Sequence, residues 1–208
     1  MNEHPIIFST EMVRAILSGR KTHTRRVMKP QPTFDGVDWI RFGDDIRQNW
    51  CLDCPFGKIG DRLWVRETWG AVSQTEESAP LEECKIEYRA DLPSGSTDYP
   101  GEWPADEARG SDIAPKWRPS IHMPRWASRI TLEIVKVRVE RVQEISLEDS
   151  KAEGMPAYSM AMGVLSDNPP DPRWKFIGLW NSINAKRGFG WDSNPWVWVI
   201  EFKRGKPE

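Results

Sequence analysis

Cysteine is scarce in this chain, with three among 208 residues, and histidine is equally rare. Three thiols cannot build the multi-bridge framework of a small secreted domain. Cys51-Leu52-Asp53-Cys54 is half of a zinc pattern, but only Cys84, His4, His23 and His122 remain to complete it, at irregular distances. A metal at Cys51/Cys54 therefore competes with ordinary reduced thiols. Charge of one sign is also lacking: the net charge is −2, so no global basic field exists for tight, nonspecific duplex binding. Any nucleic-acid or nucleotide contact has to come from a local patch. The N-terminus, Met1-Asn2-Glu3-His4, lacks the charged and apolar regions of a signal peptide. No apolar run approaches the ~20 residues of a membrane helix. The expectation is a cytoplasmic protein with no membrane partner.

What the chain does have is tryptophan, twelve of them. Such rings serve as core anchors or as stacking surfaces for bases, and a small domain needs most of them as filling. It also has one dense polar stretch, Ser18-Gly19-Arg20-Lys21-Thr22-His23-Thr24-Arg25-Arg26. Before it, Ser9 or Thr10 caps a helix over Thr10–Ser18, with Glu11 in its first turn. Met12 and Ile16, Val13 and Leu17 form pairs four apart on one face. Gly19 suits the left-handed turn that ends such a helix. The cluster is thus delivered from a defined turn, either as a site or as a solvated basic corner.

Residues 28–58 read as an irregular insert that Trp39 and Trp50 pin to the body, and residues 71–115 as a second, with a strand over Lys85–Ala90. Between them, Asp61–Trp69 alternates as a strand. Leu63, Val65, Glu67 and Trp69 share one face. A carboxylate on that face has to be paired or to sit at a cavity mouth, so Glu67 is either the structural partner of an arginine or a site residue. Residues 117–129 interleave Trp117, Arg118, Arg125 and Trp126. That mixture suits base stacking with phosphate contacts, or core tryptophans with snorkelling arginines. Arg129–Glu144 is a long strand whose apolar parity flips near Ile134-Val135, which predicts a β-bulge or a barrel corner. Ser146 caps a helix over Leu147–Glu153 that Gly154 ends. A further helix over Pro172–Ala185 buries Phe176, Ile177, Trp180 and Ile183. Trp196–Ile200 is apolar on both parities, as in a strand covered on both faces.

Gly19-Arg20-Lys21-Thr22-x-Thr24-x-Arg26 resembles the opening signature of ASCH domains, a branch of the PUA-like β-barrels. Gly60-Asp61-Arg62-Leu63-Trp64-Val65-Arg66-Glu67 and Ile200-Glu201-Phe202-Lys203 resemble that family's middle and closing strands. The likeness is to the larger form, with long inserts, found in phage and prophage genomes. It implies an α+β fold: a single ASCH/PUA-like domain over 1–208, a mixed barrel of about six strands with flanking helices and two long loop inserts.

The pattern shows no glycine-rich phosphate loop, no Ser-His-Asp set and no metal spacing among the histidines, so no cofactor is expected. A Thr hydroxyl needs a base to become a nucleophile, and a Lys is such a base only when its pKa falls. Lys21 and Thr24 are three apart, so a regular strand would put them on opposite faces. Some small ASCH proteins are N4-acetylcytidine amidohydrolases with a Lys proton acceptor, a Thr nucleophile three residues later and a Glu in the helix after the long strand. The resemblance carries these roles to Lys21, Thr24 and Glu153. Arg25, Arg66, Glu67, Trp69, Arg118, Arg125 and Trp126 are the candidate substrate-binding residues. Three functions compete: an amidohydrolase acting on a modified pyrimidine nucleoside, a non-catalytic module binding RNA or a modified base, and a ribonuclease on the same scaffold.

Overall fold

The computed structural model describes residues 1–31, 54–72, 84–93, 100, 116–155 and 173–205. Trp39, Trp50, Cys51, Pro172 and most of both inserts lie outside them. The described fold is α+β. Five strands form one mixed sheet in the order β1-β3-β6-β7-β2, and β4 and β5 form a separate hairpin. The strands are β1 Glu3–Ile7, β2 His23–Val27, β3 Arg62–Arg66, β4 Trp69–Val72, β5 Lys85–Tyr88, β6 Thr131–Arg141 and β7 Trp196–Arg204. The helices are α1 Thr10–Leu17, α2 Leu147–Ala152 and α3 Arg173–Asn184.

The expected closed barrel is not formed among the described residues. β1 pairs in parallel with β3, β2 pairs antiparallel with β7, and β1 and β2 stay the two edges of an open sheet. Side chains occupy the space where a closing ladder would run. Arg26 donates through Nη2 to the Ile7 carbonyl at 2.6 Å, and its guanidinium lies over the rings of Phe8 and Phe56. One side-chain bond thus spans the gap between the edges.

Local chemistry accounts for the elements that position the site. The Ser9 hydroxyl accepts from the Met12 amide and caps α1. Gly19 follows at φ 74°, a conformation that favours glycine and reverses the chain into Lys21. In β6 the register with β7 shifts between Ile134 and Lys136, leaving Val135 as the extra residue. Val135 is 40% exposed while Ile134 is fully buried, which is the parity flip of the sequence in structural form. β7 is covered on both faces. Trp196, Trp198, Ile200 and Phe202 join the main core with Phe8, Val13, Leu63 and Leu132. Val197 and Val199 pack on the other side against Phe176 and Trp180 of α3.

Two expectations need correction. The buried stripe of α3 is Phe176, Trp180 and Asn184, spaced by four. Ile177 is only half-buried and Ile183 is exposed. The helix is rotated so that its two large rings reach β7, which turns Ile183 outward. The strand predicted over Asp61–Trp69 is split, with β3 ending at Arg66 and β4 starting at Trp69. Glu67 lies at that break, where Arg129 holds it.

Candidate functional site

The Gly19 reversal sets Lys21 against the C-terminal end of α2. Lys21 forms an isolated antiparallel bridge with Glu153, and the Thr22 amide donates to the Ala152 carbonyl at 2.8 Å. The regular strand begins only at His23. Lys21 therefore lies outside the alternation of β2, and both Lys21 and Thr24 are buried, at 2% and 3% exposure. On α2, the Ser146 hydroxyl caps the helix at the Asp149 amide. Glu153 is its C-cap, and Gly154 follows at φ 90°. A side chain at Gly154 would meet Ala15 and Lys21 at about 3 Å, so glycine there lets α2 approach the Lys21 turn.

The Lys21 ammonium has three protons and three acceptors. It donates to the His23 carbonyl at 2.8 Å, the Glu153 carbonyl at 3.0 Å and Glu153 Oε2 at 2.6 Å. Burial holds the Lys21 pKa below the ordinary lysine range. Glu153 pulls it back up, while Arg26 and Arg25 depress it further. The other Glu153 oxygen accepts from Arg25 Nη1 at 3.3 Å. Arg25, fully buried at its side chain, also reaches Glu140 and Asp149 through Nη2, at 2.5 and 2.6 Å. Burial alone would disfavour its charge, but Glu153, Glu140 and Asp149 together outweigh that and raise its pKa. Arg138 extends the network to Asp149, Glu140 and Glu201. His23 lies between Asp149 and Glu201 at 3.9 and 3.6 Å, and burial holds it below the usual histidine range despite those carboxylates.

Beside this network opens a cavity of about 340 Å³. Thr24, Arg25, Arg26 and Val27 line it from both faces of β2, as an edge strand permits, with Glu153 at one wall. Phe176, Trp180 and Asn184 of α3 form a second wall, and Phe56, Lys29 and Arg187 also border it. The volume falls in the range of small-molecule sites, and the mixture of rings with a few polar groups is typical of them.

No family profile, curated protein or solved structure matches this chain.

Lys21 and Glu153 are in direct contact, and Thr24, Arg25 and Glu153 share the cavity. The other six candidates do not line it. Arg66 lies over the Trp64 ring and donates to the Ile121 carbonyl. Glu67, 1% exposed, is bound by Arg129 through both oxygens at 3.0 and 3.2 Å. That is the structural-partner alternative. Trp69 is buried beneath the Arg118 guanidinium. Arg125 pairs with Glu3 at the β1 edge, and Trp126 stands edge-on to Trp69, 54% exposed. Among the described residues, no group of three or more His, Cys, Asp or Glu side chains has the arrangement of a metal site.

Sequence reasoning missed the rest of the network and the α3 wall. Asp149 was accessible: it stands four residues before Glu153, hence on the same helical face. Arg138 and Glu140 share a parity on β6. Nothing in the sequence marks Phe176, Trp180 or Asn184 as a cavity wall rather than core.

Proposed function

We propose that the protein is an ASCH-type, PUA-like amidohydrolase acting on a modified pyrimidine nucleoside such as N4-acetylcytidine. One observation carries the reading: a buried lysine lies 2.6 Å from a carboxylate that lines a cavity together with Thr24. The PUA-like assignment draws on the order of the three motifs, which fall on the Lys21 turn with β2, on β3 and on β7. The open sheet departs from that pattern.

The contact is suited to proton relay. As an ion pair, the ammonium satisfies three acceptors. If one proton passes to Glu153, the carboxyl donates it back to the Lys21 lone pair, and the two remaining N–H groups still serve both carbonyls. Both tautomers are fully hydrogen-bonded, so the transfer needs no rearrangement and leaves no buried group unsatisfied. In the reaction, protonated Glu153 turns from Lys21 toward N4, which frees the Lys21 lone pair to take the Thr24 hydroxyl proton as Oγ1 attacks the acetyl carbon. The C–N4 bond breaks, protonated Glu153 gives its proton to N4, and cytidine leaves. Water then attacks the acetyl-Thr24 ester, its proton passing to Glu153. Acetic acid leaves and ionises in solvent, and Thr24 Oγ1 recovers its proton from Lys21.

The test is release of acetate from N4-acetylcytidine, read with cytidine by mass. Lys21→Arg, which keeps charge but cannot deprotonate, and Thr24→Ala should each lower the rate by ~100- to 10,000-fold. Absence of turnover by the wild-type protein overturns the reading. The exposed Trp126 beside Arg125 favours the second one, a module that binds RNA or a modified base without cleaving it. RNA binding that Trp126→Ala abolishes, with no acetate released, would establish it.

A further inference from the structure

The cavity carries more positive charge than the relay uses. Arg25 is already matched by Glu140, Asp149 and Glu153, and Glu153 by Lys21. Three other cations remain on the lining: Arg26, Lys29 and Arg187. Arg26 spends Nη2 on a backbone carbonyl, and its Nε is buried with no hydrogen-bond partner. Lys29 lies over the Phe189 ring. None of the three forms an ion pair with an acid among the described residues. The remaining wall is apolar and aromatic, with Phe56, Phe176 and Trp180. A cavity with a ring-lined wall and several unmatched cations suits a ligand that has a flat ring and a separate anionic group. A neutral nucleoside would bring those cations no anion.

We infer that this cavity takes a pyrimidine nucleoside monophosphate, its phosphate ester held by Arg26, Lys29 and Arg187 and its base against the rings of α3. The base half of this inference rests on the amidohydrolase reading. The phosphate half rests on the three cations alone. A free nucleotide and a nucleotide within an oligonucleotide present the same chemistry. The cavity volume of about 340 Å³ suits one nucleotide rather than several, which favours the free one.

Isothermal titration with cytidine, cytidine monophosphate, the dinucleotide CpC and inorganic phosphate tests this on the full chain. Lys29 and Arg187 are exposed and neither forms an ion pair among the described residues, so Lys29→Glu and Arg187→Glu should fold as wild type, and a melting curve checks that they do. The expected result is that the monophosphate binds at least tenfold tighter than cytidine and than CpC, and that the double reversal Lys29→Glu/Arg187→Glu removes that advantage. Raised salt should shrink it in the wild type. Equal affinity for cytidine and its monophosphate overturns the phosphate site and leaves the nucleoside reading standing. CpC binding as tightly as the monophosphate assigns the site to a strand and overturns the free nucleotide. Binding of inorganic phosphate without any binding of cytidine or its monophosphate overturns the nucleotide inference and leaves only an anion site. No binding by any of the four overturns the inference outright, whereas the amidohydrolase reading stands or falls on acetate release from N4-acetylcytidine.

Discussion

Removing both members of the Lys21–Glu153 pair should cost less than the two single removals add up to. Lys21→Met keeps the length of the stem but deletes all three donors. Two carbonyls lose a bond, and the Glu153 carboxylate keeps only Arg25 at 3.3 Å. Breaking a buried pair from one side costs ~3–5 kcal/mol; because Arg25 stays, we expect about 3 kcal/mol. Glu153→Gln leaves the ammonium without its anion. Lysine has an escape that a carboxylate beside an arginine lacks, since it sheds its proton when burial disfavours the charge. The expected loss at neutral pH is smaller, about 2 kcal/mol. It also depends on pH. The folded pKa of Lys21 in this variant lies further below the unfolded value of about 10.4 than in the wild type. Between those two values the unfolded chain binds more protons, so stability rises with pH through that window. The double variant removes both charges, and its loss should fall short of the sum of the single losses by about 2 kcal/mol. Urea unfolding at pH 6, 7.5 and 9, followed by tryptophan fluorescence, measures all four proteins. Losses that add within about 0.5 kcal/mol, together with a pH-independent Glu153→Gln deficit, would refute the coupling and the relay built on it.

Three further outcomes follow from the same structure. Arg129→Met should destabilise the protein by about 3 kcal/mol by stranding the buried Glu67 carboxylate. Burial already raises the Glu67 pKa against the pull of Arg129; without Arg129 it rises further, so the deficit should grow as pH climbs from 4 to 8 in chemical denaturation. Deleting Val135 should cost about 1 kcal/mol or less, because Ile134 and Lys136 already face consecutive residues of β7, whereas deleting Val137 reverses the faces of the residues beyond it and should unfold the strand. Thr24→Ser should retain part of any deacetylase activity that Thr24→Ala loses. The rising limb of the wild-type pH profile should lie below the usual lysine range, as burial of Lys21 requires, and should be missing from any residual activity of Lys21→Arg.

Much of this molecule was legible in the order of its residues, and the limits have physical causes. α1 and its caps, the bulge at Val135 and the doubly covered β7 follow from periodicity and turn chemistry, which act over a few residues. The closure of the sheet does not. Whether β1 meets β2 depends on Arg26 and two phenylalanines filling the gap, a contact between residues far apart in the chain. The apparent conflict of Lys21 with Thr24 dissolves because Lys21 precedes the regular strand. The arginine-rich stretch near Trp126 was not legible, for a different reason. A cation beside an aromatic looks alike in sequence whether it awaits a ligand or, as with Arg125 and Glu3, already has an acidic neighbour.

The pairing of β2 has one more consequence. Among the described residues its only partner in the sheet is β7, with His23 opposite Glu201 and Thr24 opposite Ile200. Nearly the whole chain separates the two strands, so this is among the most expensive contacts to close and belongs to the slow part of folding. On a ribosome adding ~5–20 residues per second, Lys21 and Thr24 emerge on the order of ten seconds before the strand that holds their segment in the sheet. During that interval β2 offers an unpaired backbone edge to any neighbour, a period in which aggregation or chaperone capture competes with folding. A nascent chain stopped before Trp196 would contain every residue of the proposed relay and still be unable to assemble it.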